Sequence, residues 1–426
     1  MSATETSSLE LNKVLSKLQQ QQNIFLTGGA GVGKTTITKA IINNFEEVGK
    51  KVAKLASTGM AATLIGGQTL HSFLDLGICD SQEDLERRGK LEPKKRTKKI
   101  VHAIDLMVID EISMVSDALM QMIQLRLVQC DFNGVILLVG DFLQLPPVSR
   151  GNANIAFAFE SMAWEDFGFE TVILTHNYRT SDADFTEVLN AVRFGNVGEE
   201  EHYYLHHLIK PVGEDLSKYT YLYGKNISAQ RHNKEQLEFI DSDEMTYEAQ
   251  VIRHDKAVKD QEIERFFNDA RVDPNLQLKV GAPILFTRNA WNYHNGERGR
   301  VIKMSDNVLH VEKADGVVVK LERSDMSKTT WKEKTIEGKK EFVEVPVFTL
   351  YQFPVALGFA ITIHKSQGMS IDDLIIETTE IFAPSQFYVA LSRATSPHRL
   401  ILKQPNTNWV NLAFVSDKAK AFVLGE

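Results

Sequence analysis

The segment Gly28-Gly-Ala-Gly-Val-Gly-Lys-Thr35 constrains this chain more than any other. It reads GxxxxGK[ST]. An apolar run, Asn23–Thr27, precedes it, and helical spacing follows from Lys34 to about Val48, with Gly49 as the stop. A glycine loop between a strand and a helix lets backbone N–H groups approach a phosphate chain closely. Lys34 then reaches the β- and γ-phosphates, and the Thr35 hydroxyl can hold Mg²⁺. The nucleotide-binding set is therefore Gly28, Gly29, Ala30, Gly31, Val32, Gly33, Lys34, Thr35 and Thr36. Further apolar runs at Val52–Ala56, Leu106–Ile109 and Val135–Val139 alternate with helical or loop stretches, the pattern of a parallel sheet covered by helices.

Paired acids follow one of these strands. Leu106-Met-Val-Ile-Asp110-Glu111 puts Asp110 beside the metal and Glu111 where it can polarise an attacking water. Phosphate cradle, metal and water-directing acid together point to hydrolysis of a triphosphate; a small-molecule kinase needs no glutamate in that role. After the run Val135–Val139, Gln144 can sense the γ-phosphate through its amide, and Pro146 and Pro147 stiffen the turn beyond it.

Charge narrows the choice of partner. The chain has 426 residues and a net charge of −8, from 48 basic and 56 acidic side chains, which disfavours coating DNA by bulk attraction. The positive charge is concentrated instead: Leu85 to Ile100 holds eight basic residues against two acidic ones. A solvated loop is the plain reading of such a run. Two cysteines, Cys79 and Cys130, with no CxxC pair exclude a disulfide framework or a zinc ribbon. No apolar run of 18 residues and no signal-peptide pattern occurs, so a cytoplasmic, multidomain protein is expected.

Leu9, Leu11, Val14, Leu15 and Leu18 fall at helical spacing ahead of the loop. Later strand candidates are Tyr219–Tyr223, Gln250–Arg253, Ala282–Phe286 and Leu374–Glu377, with helices near Asn233–Phe239 and Ser385–Ala394. From Gly299 to Phe348 short β-rich pieces suggest a small barrel inserted into a second α/β unit. His202, His206 and His207 have a helical metal-binding spacing, but no carboxylate pattern surrounds them and a packed amphipathic segment is the better reading. No GxSxG elbow is present for serine chemistry.

Ile109-Asp-Glu-Ile-Ser-Met-Val115 followed by Gly140-Asp-Phe-Leu-Gln-Leu-Pro-Pro-Val148 resembles the PIF (petite integration frequency) helicases, of the 5′-to-3′ branch of helicase superfamily one. Five further segments agree in order and spacing: Ala56-Ser-Thr-Gly-Met-Ala-Ala62, Thr69-Leu-His-Ser-Phe73, Leu174-Thr-His-Asn-Tyr-Arg179, Ile361-Thr-Ile-His-Lys-Ser-Gln-Gly368 and Tyr388-Val-Ala-Leu-Ser-Arg393. The match runs from about Asn23 to about Leu402. Single motifs also occur in RecD-like relatives; the ordered set is specific.

The resemblance implies an α/β chain of two RecA-like P-loop NTPase domains with ATP between them. An N-terminal helical segment would cover 1–22, domain one 23–178 with a wedge insertion at about 75–104, and domain two 179–426 with an SH3-like β-barrel insertion at about 299–346. It implies that Arg179 and Arg393 meet the γ-phosphate as catalytic groups beside Lys34, Asp110, Glu111 and Gln144. Thr35 and Asp110 would hold Mg²⁺, and Gly368 would let backbone approach the phosphate, with Gln367 as a secondary member. Single-stranded DNA would be contacted by Thr58, Gly59, His71, Ser72, Phe73, His364 and Lys365, Phe73 being the stacking candidate, and the basic run would meet duplex at a fork. The expected activity is ATP-dependent 5′-to-3′ translocation and unwinding by a monomer on forked or tailed DNA, in repair, recombination or replication. The family's adenine-reading glutamine has no obvious equivalent near Leu9–Lys13, and Ser57 stands where the resemblance leads one to expect proline. An RNA-directed or RecD-like helicase, or a nucleotide-gated DNA-binding module without unwinding, are the alternatives.

Overall fold

Six short strands assemble around the glycine loop, all parallel. They are β1 (Ile24–Gly28), β2 (Val52–Ala56), β3 (Gln68–Thr69), β4 (Leu106–Asp110), β5 (Val135–Gly140) and β6 (Glu170–Leu174), in the order β3-β2-β4-β5-β1-β6. The computed structural model describes residues 3–77, 79–147, 156–209, 215–270, 272–336, 339–403 and 408–426; Val148, the last residue of one matching segment, lies outside them. The central strands β1, β4 and β5 are mainly apolar because both faces are covered, whereas the edge strands β3 and β6 carry polar and exposed residues. Burial is complete along β1 and β5, as a parallel sheet flanked by helices requires.

The helix Lys34–Glu47 lays Ile37, Ile41, Ile42 and Phe45 on the sheet at three- and four-residue intervals. The helix Ala3–Gln19 adds Val14 and Leu18 to the same core. Two compact units make up the chain, one of Met1–Tyr178, Lys328–Val347 and Asp417–Glu426, the other of Arg179–Ser327 and Phe348–Ser416. Thus Lys328–Val347 and Asp417–Glu426, read from sequence within the second domain, belong to the first unit. Aromatic packing accounts for the second of these. The Phe422 ring stacks on Phe159 with centroids 4.1 Å apart and meets Phe142 edge-on at 5.4 Å, in a cluster that includes Phe25 and Trp164.

Within the first unit the basic run is folded rather than loose. It supplies the helices Gln82–Arg87 and Lys95–His102, which bury Leu85, Ile100 and Val101. Arg126, with 0% exposure, holds the connection between them: its guanidinium donates to the carbonyls of Leu74 at 3.0 Å and of Lys90 and Leu91 at 2.8 Å each. Part of the positive charge is engaged locally. Lys94 pairs with Asp75 at 2.8 Å, Lys99 lies 3.8 Å from Glu333, and Arg96 donates to the Thr330 hydroxyl at 2.8 Å and to the Trp331 carbonyl.

The remaining strands are β7 (Thr220–Tyr223), β8 (Glu244–Glu248), β9 (Gln250–Arg253), β10 (Asn275–Lys279), β11 (Pro283–Phe286), β12 (Arg298–Met304), β13 (Leu309–Lys313), β14 (Val318–Leu321), β15 (Ser324–Ile336), β16 (Lys339–Gln352), β17 (Val355–Leu357), β18 (Ala360–Thr362), β19 (Leu374–Glu377) and β20 (Leu400–Lys403), all in the second unit apart from the Lys328–Val347 stretch of β15 and β16. A parallel sheet in the order β18-β7-β19-β20 is the α/β part. An antiparallel sheet, β14-β13-β12-β11-β17, shares one core with β8 and β10, through Tyr247, Leu276 and Leu278 against Val301, Val311 and Val319. The β-rich body therefore begins near Glu244, well before Gly299, and takes in the Ala282–Phe286 candidate. Beyond Leu321 the chain forms β15 and β16, which join β9 in a separate three-stranded sheet.

Phe422→Ala is expected to destabilise the first unit by roughly 2–3 kcal/mol, less than a fully buried Phe because the ring is only half-buried. Thermal unfolding followed with and without ATP should show the ligand-stabilised transition moving down by several degrees; an unmoved transition would refute the anchoring role.

Candidate functional site

Parallel register brings the carboxyl ends of the first unit's strands to one edge. Thr27 pairs with Gly140, and Ala56 with Asp110. The glycine loop, Ser57-Thr58, Asp110-Glu111 and Asp141 to Gln144 all leave the sheet there, the place where open α/β sheets bind ligands.

Two glycines shape the loop. Gly28 has φ 144°, and a Cβ on it would stand 2.3 Å from the Leu174 carbonyl oxygen; Gly33 has φ 85°, in the left-handed region, just before the helix starts. Lys34 Nζ donates to the carbonyls of Gly28 and Gly29, both at 2.7 Å, which holds its ammonium inside the loop's curve. The Tyr178 N–H donates to Gly31 at 2.8 Å, and the Tyr178 ring, 43% exposed, lies against Gly33, with His176 edge-on to it at 4.5 Å.

Glu111 adopts φ 53° and ψ 49°, left-handed backbone that a residue with a Cβ rarely takes. Such strain persists only where the surroundings enforce it, and it clusters at active sites. Two contacts enforce it. The Glu111 N–H donates to Asp110 Oδ1 at 2.9 Å, and the Ser57 hydroxyl donates to the Glu111 carbonyl at 3.0 Å. Desolvation, reinforced by the Glu111 charge, pushes the Asp110 carboxyl up to about 7 against the pull of the Glu111 N–H, Lys34 and Lys39. Two neighbouring carboxylates, with a threonine hydroxyl ending the loop, are the oxygen donor set that suits a hard divalent cation. Gln144 is buried; its N–H donates to the Asp141 carbonyl at 2.8 Å and its side-chain amide to Asp141 Oδ2 at 3.5 Å.

The second unit gathers its own sequence-predicted residues. Arg179 Nε donates to the Ser370 hydroxyl at 3.0 Å and Nη1 to the Ser392 carbonyl at 2.7 Å, and burial lowers its pKa. Arg393, 2% exposed, donates through Nε to Val389 at 2.9 Å and through Nη2 to the Ser392 hydroxyl at 2.8 Å; its Nη1 points to the carbonyls of Ser366 and Met369. Both guanidiniums thus meet at Ser392. Gln367 is buried beside them with its Nε2 unpartnered, and Gly368 is left-handed at φ 77°.

Of the DNA-contact candidates, Thr58 caps the helix Gly59–Leu64 by accepting from the Ala61 N–H at 3.3 Å, so its hydroxyl already has structural work. Burial lowers the pKa of His71, against an opposing hydrogen bond with the Cys79 backbone, so it is neutral at pH 7. Ser72 is exposed, but Phe73 is 8% exposed: the turn Leu70–Phe73 sends its ring inward, and the stacking role expected of it meets a core residue. His364 and Lys365 are half-buried in the segment after β18, where the Lys365 N–H donates to the Thr362 hydroxyl at 3.3 Å. Sequence reading left Ser57 and Tyr178 without a role. Ser57 carries one signal, its departure from the expected proline; Tyr178 lies inside the matching segment Leu174–Arg179, next to the arginine that segment supplies.

A model described as PIF1-like helicase matches residues 8–202. The ATP-dependent DNA helicase Pif1 of Campylobacter jejuni is 37% identical over 418 residues, covering 94% of this chain and 92% of its own length. The protein of the same name from Bdellovibrio bacteriovorus is 34% identical, over 94% of this chain and 87% of its own. Among solved structures, Bacteroides sp Pif1 in complex with ADP-AlF4 is similar with a TM-score of 0.83 and 28% identity, covering 98% of this chain and 96% of that one.

Removing the Ser57 hydroxyl loses one hydrogen bond of roughly 0.5–1.5 kcal/mol, so Ser57→Ala should lower kcat for ATP hydrolysis about three- to tenfold with KM little changed, and Ser57→Thr should restore it. Equal loss in the alanine and threonine variants would dismiss this positioning. Asp110 titrates higher folded than unfolded, so its carboxyl favours the fold fully below the ordinary carboxylate pKa and loses that contribution as pH rises to about 7. Unfolding temperatures without divalent cation should therefore fall across that window, Mg²⁺ should reverse the fall increasingly from pH 6 to 8, and Asp110→Asn should abolish both trends.

Proposed function

The chain belongs to the PIF1-like helicase family, and on that premise we propose that this ATP-dependent DNA helicase couples hydrolysis at the Lys34 loop to 5′-to-3′ movement along single-stranded DNA. The observation that carries the reading is the strained Glu111 backbone set beside Asp110 at the carboxyl edge of a P-loop sheet.

Lys34 moves from the Gly28 and Gly29 carbonyls to the β- and γ-phosphate oxygens, while the N–H groups of the loop take the remaining charge. Thr35 and Asp110 would hold Mg²⁺, which would neutralise phosphate charge. Glu111 accepts a proton from water as the water oxygen bonds to the γ-phosphorus and the bond to the β-phosphate oxygen breaks. Its constrained backbone fixes the carboxylate's direction, and Gln144 senses whether the γ-phosphate is present. Arg179 and Arg393 offset the charge that develops on the transferring group, a role worth about 10³–10⁵ in rate in comparable enzymes. The half-exposed Tyr178 ring, next to Gly33, is suited to stacking on the adenine, which supplies base contact without the upstream glutamine.

Movement requires that Ser72 and its neighbours in the first unit, and His364 and Lys365 in the second, change their grip on the strand between nucleotide states. Opening one duplex step costs about 1.4 kcal/mol on average, well within what one ATP supplies. A monomer acting in the cytoplasm on forked or tailed DNA, in repair, recombination or replication, is the setting we propose.

Lys34→Ala should abolish DNA-stimulated phosphate release, and Arg179→Ala or Arg393→Ala should reduce kcat by at least 10²-fold while nucleotide binding persists. Strand-displacement assays on duplexes with a 5′ tail, a 3′ tail or blunt ends should show unwinding of the 5′-tailed substrate. Preference for the 3′ tail would reverse the stated direction.

A further inference from the structure

Trp291 is 95% exposed, the most open large apolar side chain among the described residues. An indole presented to water needs an explanation when the backbone beneath it is so well fixed. Trp291 and Asn292 form the tip of a tight turn: Ala290 and Tyr293 are bridged, with the Ala290 N–H donating to the Tyr293 carbonyl at 2.8 Å. Below the tip, the Tyr293 ring stacks on the buried Phe286 at 4.2 Å, and the Asn295 N–H donates to the Asn289 side chain at 2.7 Å. The turn's base rests on the segment that follows His364 and Lys365. Gly296, left-handed at φ 90°, approaches so closely that a Cβ there would stand 2.6 Å from the Ser370 carbonyl oxygen.

The flanking chemistry identifies the ligand. From Thr287 to Gly296 there is no acidic residue, while Arg288, Asn289, Asn292 and His294, none of them fully buried, carry donors. Glu297 closes the turn from below, accepting from the His294 N–H at 3.0 Å and pairing with its ring at 3.1 Å, so no carboxylate belongs to the tip itself. A flat, rigid aromatic at the tip of a turn that carries basic and amide side chains fits a polyanion with flat rings of its own. We infer that Trp291 is a stacking platform for an unpaired nucleobase of single-stranded DNA, held by the second unit at the turn beside Gly368–Ser370. The inference rests on the proposed DNA-handling function and gives it an aromatic contact that the buried Phe73 does not provide. Because the turn is already ordered, stacking costs little conformational entropy, which is what a reusable contact requires.

The test uses the full-length protein and an oligothymidylate strand, with affinity read by fluorescence anisotropy and stacking by quenching of indole emission. Removing a stacked aromatic costs ~1–3 kcal/mol, so Trp291→Ala should weaken binding roughly 5- to 150-fold while the ATPase rate without DNA stays that of the wild type. Trp291→Phe should bind within about threefold of wild type yet lose the quenching component that Trp291 contributes. Wild-type affinity in Trp291→Ala, with quenching unchanged in Trp291→Phe, would overturn the inference and leave the helicase reading standing. A wild-type protein that neither binds the strand nor responds to it in ATP hydrolysis would overturn both.

Discussion

Parallel pairing is the constraint from which the nucleotide site follows. Because β1, β2, β4 and β5 all run the same way, each delivers its last residue to the same edge, and residues far apart in sequence become neighbours without any loop reaching for them. Ser57 meets Glu111 across 54 positions for this reason alone. The chemistry then needs only small local departures from regular backbone: glycines where the loop turns, and one left-handed glutamate. The sheet bears the cost of that strained residue, since its own hydrogen bonds and fully buried apolar strands leave β4 no alternative course.

Buried arginines recur as the means by which loops are held. Arg126 gathers three backbone carbonyls and thereby shapes the basic segment of the first unit. Arg393 does much the same with Val389 and its neighbours in the second. The planar guanidinium suits this use, having five donors in fixed directions and a proton it keeps at neutral pH even where burial lowers its pKa, as at Arg126. The two differ in setting. Arg126 ends among carbonyls and a glutamine, whereas Arg393 shares Ser392 with Arg179, so that two cations and the unpartnered Gln367 amide stand in one small region.

Much of the first unit was legible because its signals are local. The run Ile24–Gly28, the loop and the helix Lys34–Glu47 each carry their own periodicity, and their bounds came out within a residue or two. The second unit was harder for a physical reason. β10 and β14 alternate buried and exposed residues, as half-covered antiparallel strands do, and their partners are distant in sequence. Nothing local joins Tyr247 to Val319, so the true extent of the β-rich body was hidden. β15, with its threonines and charges, carries no apolar stripe that would mark one long strand. The functional residues divide in the same way: Lys34, Asp110 and Glu111 announce themselves by type and spacing, while Ser57 acquires meaning only from the carbonyl it faces.

The aromatic cluster around Phe142 has a consequence for the order of events during synthesis. Phe422 completes it, yet Phe422 leaves the ribosome only after the whole of Arg179–Ser416 has been made. At about 5–20 residues per second, the nucleotide-binding unit waits on the order of 10–50 s with its aromatic patch uncovered. A nascent chain of this kind spends that interval dependent on whatever shields apolar surface at the exit tunnel, and its first unit is sealed last.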